Sequence, residues 1–285
     1  MKVYKNHVLI LGSARSGSSW FSELIAQQHR YRMLFEPEHE FNTSKGKLIA
    51  DQYLTEENSF EAEKYLRKVF SNRVDNDWIA QNSNRKWKRH LWPFIPKKFI
   101  IKMVRGSLGG NFMYGTMKMP TITIIRNPYD TLLSQSRVKF PWLYNLEHFK
   151  NQEKVTAILK NRYGFTFSNS SYEPLEALTI RWCIENCDAF EIKQIPGVPL
   201  QTVKYEMLIK DINLFREVCN HFNLEPLTNL ESRYRVPSSK THPKSKIVNK
   251  DAKQPHFLNQ EYEVINHYLD IFQIKSYERE FTNRK

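Results

Sequence analysis

The chain has 285 residues, 40% of them apolar, which is enough to bury the core of one large domain or two small ones. Its formal net charge of +13 favours an anionic partner: a nucleic acid, a membrane surface or an anionic small molecule. No apolar run approaches the roughly 18 residues of a membrane span. Three cysteines are too few, and odd in number, for a disulfide framework.

These features predict a cytoplasmic, reduced protein. Cys183 and Cys187 stand four residues apart in a helix-like pattern, which favours core packing over metal binding. We expect neither a signal peptide nor an anchor, because the first predicted strand begins near residue 6.

The first predicted strand, 7–12, ends at a glycine turn that leads into a helix-like pattern. Gly12 and Gly17 fit the spacing G-x-x-x-x-G, and free N–H groups at a helix N-terminus favour an anion. Ser18 stands where a nucleotide triphosphatase needs a lysine, and the cation is Arg15 inside the loop instead. The loop therefore predicts binding of a phosphate but not of a Mg-triphosphate.

The elements that follow alternate between strands and helices. Strands are predicted at 99–104, 121–125 and 199–205, and helices near 18–29, 59–72, 128–139, 173–193, 206–222 and 258–272. Arg126 follows the β-branched strand 121–125, at the strand end where open α/β sheets bind ligands. This alternation predicts a single α/β domain, 1–285, with a parallel β-sheet flanked by helices and a P-loop-like strand–loop–helix.

The positive charge is concentrated in two stretches. No acidic residue lies between Asp77 and Asp130, where ten basic residues accumulate, and a second basic stretch runs from Arg233 to Lys253. No recognition helix, zinc-finger spacing or RNA-recognition signature is present. The charge therefore favours an anionic small molecule and no nucleic-acid partner.

Five stretches in order resemble the sulfotransferase family that uses 3′-phosphoadenosine-5′-phosphosulfate (PAPS). Gly12–Trp20 resembles its 5′-phosphosulfate loop in the arginine form R-S-G-S-S, known in carbohydrate-type and many bacterial members. Arg126 and Ser134, eight apart, resemble its 3′-phosphate pair. The others are Leu34–Pro37, similar to the F-E-P element, Phe99–Arg105, similar to the K-x-x-R strand, and Val203–Leu208, similar to the late strand Y-E-x-L. The resemblance covers about residues 6–225, without 40–95 and 140–175.

The resemblance implies that a sulfuryl group moves from PAPS to an acceptor, leaving 3′-phosphoadenosine-5′-phosphate (PAP), with no metal. It assigns donor binding to the side chains of Arg15, Arg126 and Ser134. The backbone N–H groups of Ser16, Gly17, Ser18 and Ser19 are expected to complete the cradle, and Trp20 is a further expected donor-binding residue. The insertions 40–95 and 140–172, rich in tryptophan and tyrosine, are expected to shape the acceptor pocket.

Sulfuryl transfer needs a base for the attacking group and cations for the leaving oxygen. The resemblance makes Glu36 the candidate base, because the F-E-P glutamate of the family sits beside the phosphosulfate loop. His39 is the reserve candidate, since an unperturbed histidine titrates nearer neutrality. Arg15 is assigned to the 5′-phosphate and the leaving oxygen, with Lys102 as a second cation.

Two other classes of protein remain as alternatives. A P-loop kinase or nucleotidase requires a lysine at the position of Ser18 and an acidic Mg²⁺ ligand at a strand end. A basic nucleic-acid-binding module requires only the charge. Within the sulfotransferase hypothesis, a sugar hydroxyl and another small-molecule natural product, sulfated on oxygen or nitrogen, rank nearly equal as acceptors. The oligomeric state is not indicated.

The basic stretch Val236–Lys246 is predicted to be a mobile lid over the donor. Ser239 and Lys240 are its candidate phosphate ligands. Its prolines, serines and lysines cannot bury apolar surface, so we expect weak order without a ligand. The alternative is an exposed linker that never touches the donor.

Overall fold

A five-stranded parallel sheet forms the centre of the molecule. The computed structural model describes residues 7–74, 76–80, 98–138, 140–225, 227–239 and 256–281. The strands are β1 His7–Leu11, β2 Tyr31–Phe35, β3 Lys98–Met103, β4 Thr121–Ile125 and β5 Leu200–Lys204, in the order β2-β3-β1-β4-β5. The three central strands are almost entirely buried, as expected where helices cover both faces of a sheet. The predicted α/β fold with a parallel sheet is confirmed.

Helices surround the sheet and fill both insertions. They are α1 Ser18–Ala26, α2 Phe60–Phe70, α3 Asp77–Ala80, α4 Pro128–Val138, α5 Pro141–Tyr144, α6 Glu147–Lys150, α7 Glu153–Tyr163, α8 Pro174–Asn186, α9 Tyr205–Lys210, α10 Ile212–His221, α11 Leu230–Tyr234 and α12 Asn259–Ile271. Short 3₁₀ turns occupy Gly46–Leu48, Ser107–Gly109 and Asp188–Phe190, and a π-helical turn occupies Phe112–Thr116.

Most predicted elements are present, and the differences have local causes. The strand β2 was not predicted as a strand, because Arg32 interrupts a run of only five residues. The predicted helix 206–222 is wrong as one unit: the chain breaks at Asp211, whose extended backbone and side chain cap α10 through the N–H of Asn213. The predicted helix 173–193 ends at Asn186.

The apolar core lies on both faces of the sheet. On one face α1 and α10 pack against it, and the ring of Trp20 lies among Tyr205, Phe215 and Tyr234. Elsewhere α4, α8 and α12 form a second cluster. Cys183 is buried there as a free thiol, and Cys187 likewise, which confirms their predicted core role. In the part of the chain that is described, no helix is long and apolar enough to cross a membrane.

The strand order creates one crevice at the carboxyl edge of the sheet. From β1 the chain runs to β2 at one edge, and from β4 it runs to β5 at the other edge. Neighbouring strands whose connections leave in opposite directions open a crevice at their carboxyl ends, where α/β proteins bind ligands. Since Leu11 pairs with Thr123 and with Met103, the segments after β1, β3 and β4 meet at this edge.

Gly17 is expected to be intolerant of any side chain. Its φ is +91°, and an added Cβ would lie 2.2 Å from Cδ2 of Tyr205. Gly17→Ala therefore combines left-handed strain of about 1–2 kcal/mol with overpacking of about 1–3 kcal/mol. We expect urea denaturation to show the summed loss of unfolding free energy. The matched control is Gly164→Ala, with φ +67° but open space around it, which is expected to show only the first loss. Equal losses in the two variants would contradict the packing argument.

Candidate active site

The loop after β1 is held tightly against β4. An added Cβ at Gly12 would lie 2.6 Å from the carbonyl oxygen of Ile124, so only glycine allows this approach. Arg15 adopts φ +68°, unusual for a residue with a side chain, and Gly17 is the left-handed N-cap of α1. The turn therefore leaves the first N–H groups of α1 without helical partners at the carboxyl edge of the sheet.

The loop contains a buried hydroxyl group with no protein partner. Ser16 is 1% exposed, and its Oγ makes no hydrogen bond within the described structure. Buried polar groups are nearly always satisfied, so an unpaired one at a helix N-terminus points to a ligand oxygen.

Two arginines meet beside this loop. The Nη1 of Arg126 donates to the carbonyl oxygen of Arg15 at 3.0 Å, and the Nε of Arg15 donates to Oγ of Ser134 at 3.0 Å. The Arg126 guanidinium also lies 5.0 Å from the ring centre of Tyr205. Burial, and then the charge of Arg126, lower the pKa of Arg15. Crowding of two cations is costly unless an anion balances them. The structure thus brings together the three side chains that the sequence assigns to the donor.

Two amide side chains that the sequence analysis missed anchor the loop. Gln135 on α4 donates to the carbonyl oxygen of Ala14 at 2.9 Å. Asn186, the last residue of α8, donates to Oγ of Ser13 at 2.9 Å. No spacing in the sequence identifies Asn186. Gln135, by contrast, directly follows Ser134 in the motif after β4.

The candidate base and the second cation form an ion pair. Lys102, near the end of β3, binds the carboxylate of Glu36 just after β2, and the lysine is 2% exposed. The N–H of Glu36 donates to the carbonyl oxygen of Lys102 at 2.8 Å, and Glu36 adopts φ +42°. The Lys102 ammonium also lies 4.7 Å from the ring centre of Phe35. The strand pairing therefore fixes the pair from both the backbone and the side chains.

Two further carboxylates continue this pattern. Oε1 of Glu38 accepts from the N–H groups of Val104 at 2.7 Å and Arg105 at 3.3 Å. Glu40 accepts from Nη1 of Arg105 at 2.7 Å. Burial, and then the charge of Glu36, raise the pKa of Glu38 to about 7. The three alternate acids after β2 thus bind the end of β3 and the two residues that follow it.

His39, the reserve base, lies close to Glu36 but faces aromatic rings. Its ring centre is 4.5 Å from that of Trp78, and its backbone N–H donates to the carbonyl oxygen of Glu36 at 3.0 Å. Burial lowers the pKa of His39, although the charge of Glu36 opposes this. Burial therefore favours the neutral imidazole, the form that can accept a proton.

A buried charge network supports both parts of the site. Asp51 accepts from Nε of Arg105 at 2.8 Å and from Nη1 of Arg181 on α8 at 3.0 Å. Burial raises the pKa of Asp51, but Arg181 and Arg105 outweigh burial and hold it below its ordinary value. Sequence reasoning missed this network, because its members are far apart in the chain and follow no motif.

The remaining predicted donor residues lie in different surroundings. The side chain of Trp20 is packed in the core, so only its backbone remains available to the loop. Ser239 donates through its N–H and its Oγ to the carboxylate of Glu23 on α1, at 2.8 and 2.7 Å. Lys240, like most of the predicted lid, lies outside the described residues.

Comparison with known proteins finds structural likeness only. No protein-family model and no curated protein matches the chain. Among solved structures, a sulfotransferase from Alicyclobacillus acidocaldarius is 12% identical, covers 96% of this chain and 95% of its own, and has a TM-score of 0.39. Retinol dehydratase in complex with androsterone and the inactive cofactor PAP is 10% identical, covers 98% of this chain and 84% of its own, and has a TM-score of 0.43. Both TM-scores lie below 0.5, so these likenesses establish neither family nor activity.

The raised pKa of Glu38 predicts a pH dependence of stability. Between the ordinary value of 4.5 and about 7, the folded protein holds a proton that the unfolded chain releases. The free energy of unfolding therefore falls as pH rises through this interval. Glu38→Gln removes the titrating group. The free energy of unfolding of the variant, relative to wild type, should therefore rise by about 3 kcal/mol as pH rises through this interval.

Urea denaturation at several pH values across the interval measures this difference. Glu217→Gln, an exposed carboxylate on α10, is the matched control and should follow the wild-type curve. Parallel curves for wild type and Glu38→Gln would show that Glu38 is ionised in the folded protein.

Proposed function

We propose that this protein is a sulfotransferase that moves the sulfuryl group of PAPS to a hydroxyl or amine of a sugar or small-molecule natural product. The observation that carries the proposal is the cluster of Arg15, Arg126 and Ser134 around the N-terminus of α1. A P-loop kinase or nucleotidase fits less well, because β4 ends in Arg126 and Ser18 stands in place of the lysine.

The residues present fit the anionic groups of the donor. A 5′-phosphosulfate could be bound by three groups of this loop: the free N–H groups after Gly17, the unpaired hydroxyl of Ser16 and the guanidinium of Arg15. Arg126, whose Nε is buried without a hydrogen-bond partner in the described chain, suits a phosphate as well. Arginine binds phosphate with two parallel charge-assisted hydrogen bonds, which matches this demand.

The ion pair explains how proton transfer and charge stabilisation are linked. The acceptor hydroxyl gives its proton to Glu36 as its oxygen bonds to sulfur, and the bond from sulfur to the 5′-phosphate oxygen breaks in line. Protonation of Glu36 removes the partner of Lys102, so the ammonium charge becomes available for the leaving oxygen. Arg15 and the α1 N-terminus supply the remaining positive potential. His39 is the alternative base, because burial favours its neutral form and it lies beside Glu36.

A thermal-shift measurement separates the three functional classes. A ligand that binds only the folded state raises the melting temperature. We expect stabilisation by PAP at a concentration at which ATP-Mg and an oligonucleotide have little effect. Stabilisation by ATP-Mg alone would favour the kinase or nucleotidase, and a salt-sensitive effect of the oligonucleotide alone would favour nucleic-acid binding.

Arg126→Ala is expected to weaken PAP binding by about 1.5–3 kcal/mol, because a charge-assisted contact to phosphate is lost. Isothermal titration calorimetry measures the affinity. Arg216→Ala, which removes an arginine bound to Glu231 on the surface, is the control and should bind PAP as wild type does. An unchanged affinity in Arg126→Ala would remove Arg126 from the donor site.

Glu36→Gln is expected to leave PAP affinity nearly intact and to lower turnover by about 10²–10⁴-fold, since the amide cannot accept the proton. Turnover is measured with labelled donor across a panel of sugars and small natural products, which also identifies the acceptor class. Full activity of Glu36→Gln with an inactive His39→Ala would transfer the role of base to His39.

A further inference from the structure

The residue that follows Arg126 is hydrogen-bonded through its backbone and through its side chain. The N–H of Asn127 donates to Oε1 of Glu206 at 2.7 Å, and its Nδ2 donates to Oε1 of Glu280 at 3.0 Å. Its Oδ1 and its carbonyl oxygen accept from N–H groups in the first turn of α4. The peptide group between Arg126 and Asn127 is therefore fixed by acids from two distant parts of the chain as well as by its own helix.

Glu206 connects this peptide group to the C-terminal end of the described chain. Its second oxygen, Oε2, accepts from the hydroxyl of Tyr277 at 3.0 Å. Glu206 lies in the first turn of α9, directly after Tyr205, whose ring centre is 5.0 Å from the Arg126 guanidinium. One carboxylate thus joins the end of β4, the start of α9 and the segment that follows α12.

The segment Ser276–Glu280, which we call the C-terminal strap, is fixed at both of its ends. The carbonyl oxygen of Ser276 accepts from Nζ of Lys204, the last residue of β5. The N–H of Glu280 donates to the hydroxyl of Tyr129 on α4 at 2.9 Å, and its carbonyl oxygen accepts from a side chain of α12 at 2.9 Å. The strap therefore holds its tyrosine in place beside the carboxyl ends of β4 and β5.

The guanidinium of Arg126 is only partly fixed by its own contacts. Its Nη1 donates to the carbonyl oxygen of Arg15 at 3.0 Å, and its ion pair with Asp130 spans 3.8 Å. Its Nε is buried and has no hydrogen-bond partner in the described residues. Ordering a long side chain costs entropy when a ligand binds, and a backbone that is already fixed reduces this cost.

We propose that Glu206 is a positioning residue for Arg126, and that the C-terminal strap holds Glu206 in this role through Tyr277. The inference rests on the proposed function, in which Arg126 binds a phosphate group of the donor. A carboxylate in contact with that phosphate would repel it, whereas both oxygens of Glu206 are occupied by hydrogen-bond donors of the protein. Glu206 thus acts through the N–H of Asn127 and does not itself touch the donor.

A double-mutant cycle measured by calorimetric titration of PAP tests this role. Glu206→Ala should weaken PAP binding by about tenfold, as is found for groups that orient metal ligands. In an Arg126→Ala background the same change should have little effect, because the residue through which Glu206 acts is gone. Equal losses of affinity in the two backgrounds overturn the inference, since a general structural role would be additive.

The chain contains a matched control for both members of the pair. Glu176 on α8 accepts from the N–H of Glu173 and from the hydroxyl of Tyr268, each at 3.0 Å. Glu176→Ala and Tyr268→Phe should bind PAP as wild type does. Tyr277→Phe keeps the ring but removes the hydroxyl, so it should weaken PAP binding by less than Glu206→Ala, and it serves alone if that variant does not fold. Equal affinities in Tyr277→Phe and Tyr268→Phe overturn the role of the strap.

A second measurement observes Arg126 directly and needs no PAP. In protein labelled with ¹⁵N-arginine, the Nε–H resonance that is absent from Arg126→Ala belongs to Arg126. This resonance should move in Glu206→Ala and in Tyr277→Phe, and it should stay in place in Tyr268→Phe. A resonance that neither of the first two variants moves overturns the inference. If it moves as expected but PAP does not bind wild type, the proposed function fails and the coupling of Glu206 to Arg126 stands.

Discussion

The burial of Asp51 between two arginines is the constraint that joins the end of β3 to α8. Arg105 lies just after β3 and Arg181 lies on α8, and the side chains of these arginines and of Asp51 are nearly inaccessible to solvent. Burying such charges is costly, but removing one partner leaves an uncompensated charge that costs about 3–5 kcal/mol. The network therefore allows one relative placement of α8 and the end of β3. Through Glu40 and the backbone of Arg105 it reaches the acids after β2, and α8 reaches the donor loop through Asn186, which donates to Ser13.

Acidic and basic side chains of the candidate site are separated along the carboxyl edge of the sheet. The segments after β2 carry acids, whereas the loop after β1 and the end of β4 carry Arg15 and Arg126. Lys102 lies on the strand between β2 and β1 and binds the acidic side through Glu36. The candidate base and the candidate anion cradle thus lie at strand ends that are separated by β3. In the proposed reaction, proton transfer to Glu36 would release the charge of Lys102 from its ion pair.

The local parts of this arrangement could be predicted from the sequence. The roles of Gly12, Gly17 and Arg126 could be predicted from strand ends and turn chemistry, which act within a few residues. The eight-residue spacing of Arg126 and Ser134 places both on one side of the crevice. The strand β2 was missed because a five-residue run with an arginine has no clear period.

The tertiary parts could not be predicted in the same way. Asp51 and Arg181 are 130 positions apart, and nothing local distinguishes Arg181 from a surface arginine on a helix. Asn186 and Gln135 support the loop only because α8 and α4 pack beside it. Trp20 shows the converse: its place in the motif suggested a ligand contact, and packing against Tyr205 and Tyr234 directs its ring into the core.

Two acids with a pKa near neutrality stand at opposite ends of the same buried network. Glu38 lies at the backbone of Arg105, and Glu185 lies at Arg181. Burial raises the pKa of both carboxyl groups; the charge of Glu36 adds to this at Glu38, and at Glu185 the charge of Asp51 opposes that of Arg181. Because the charge of Glu36 helps to raise the pKa of Glu38, a proton taken up by Glu36 would lower the pKa of Glu38 towards its ordinary value.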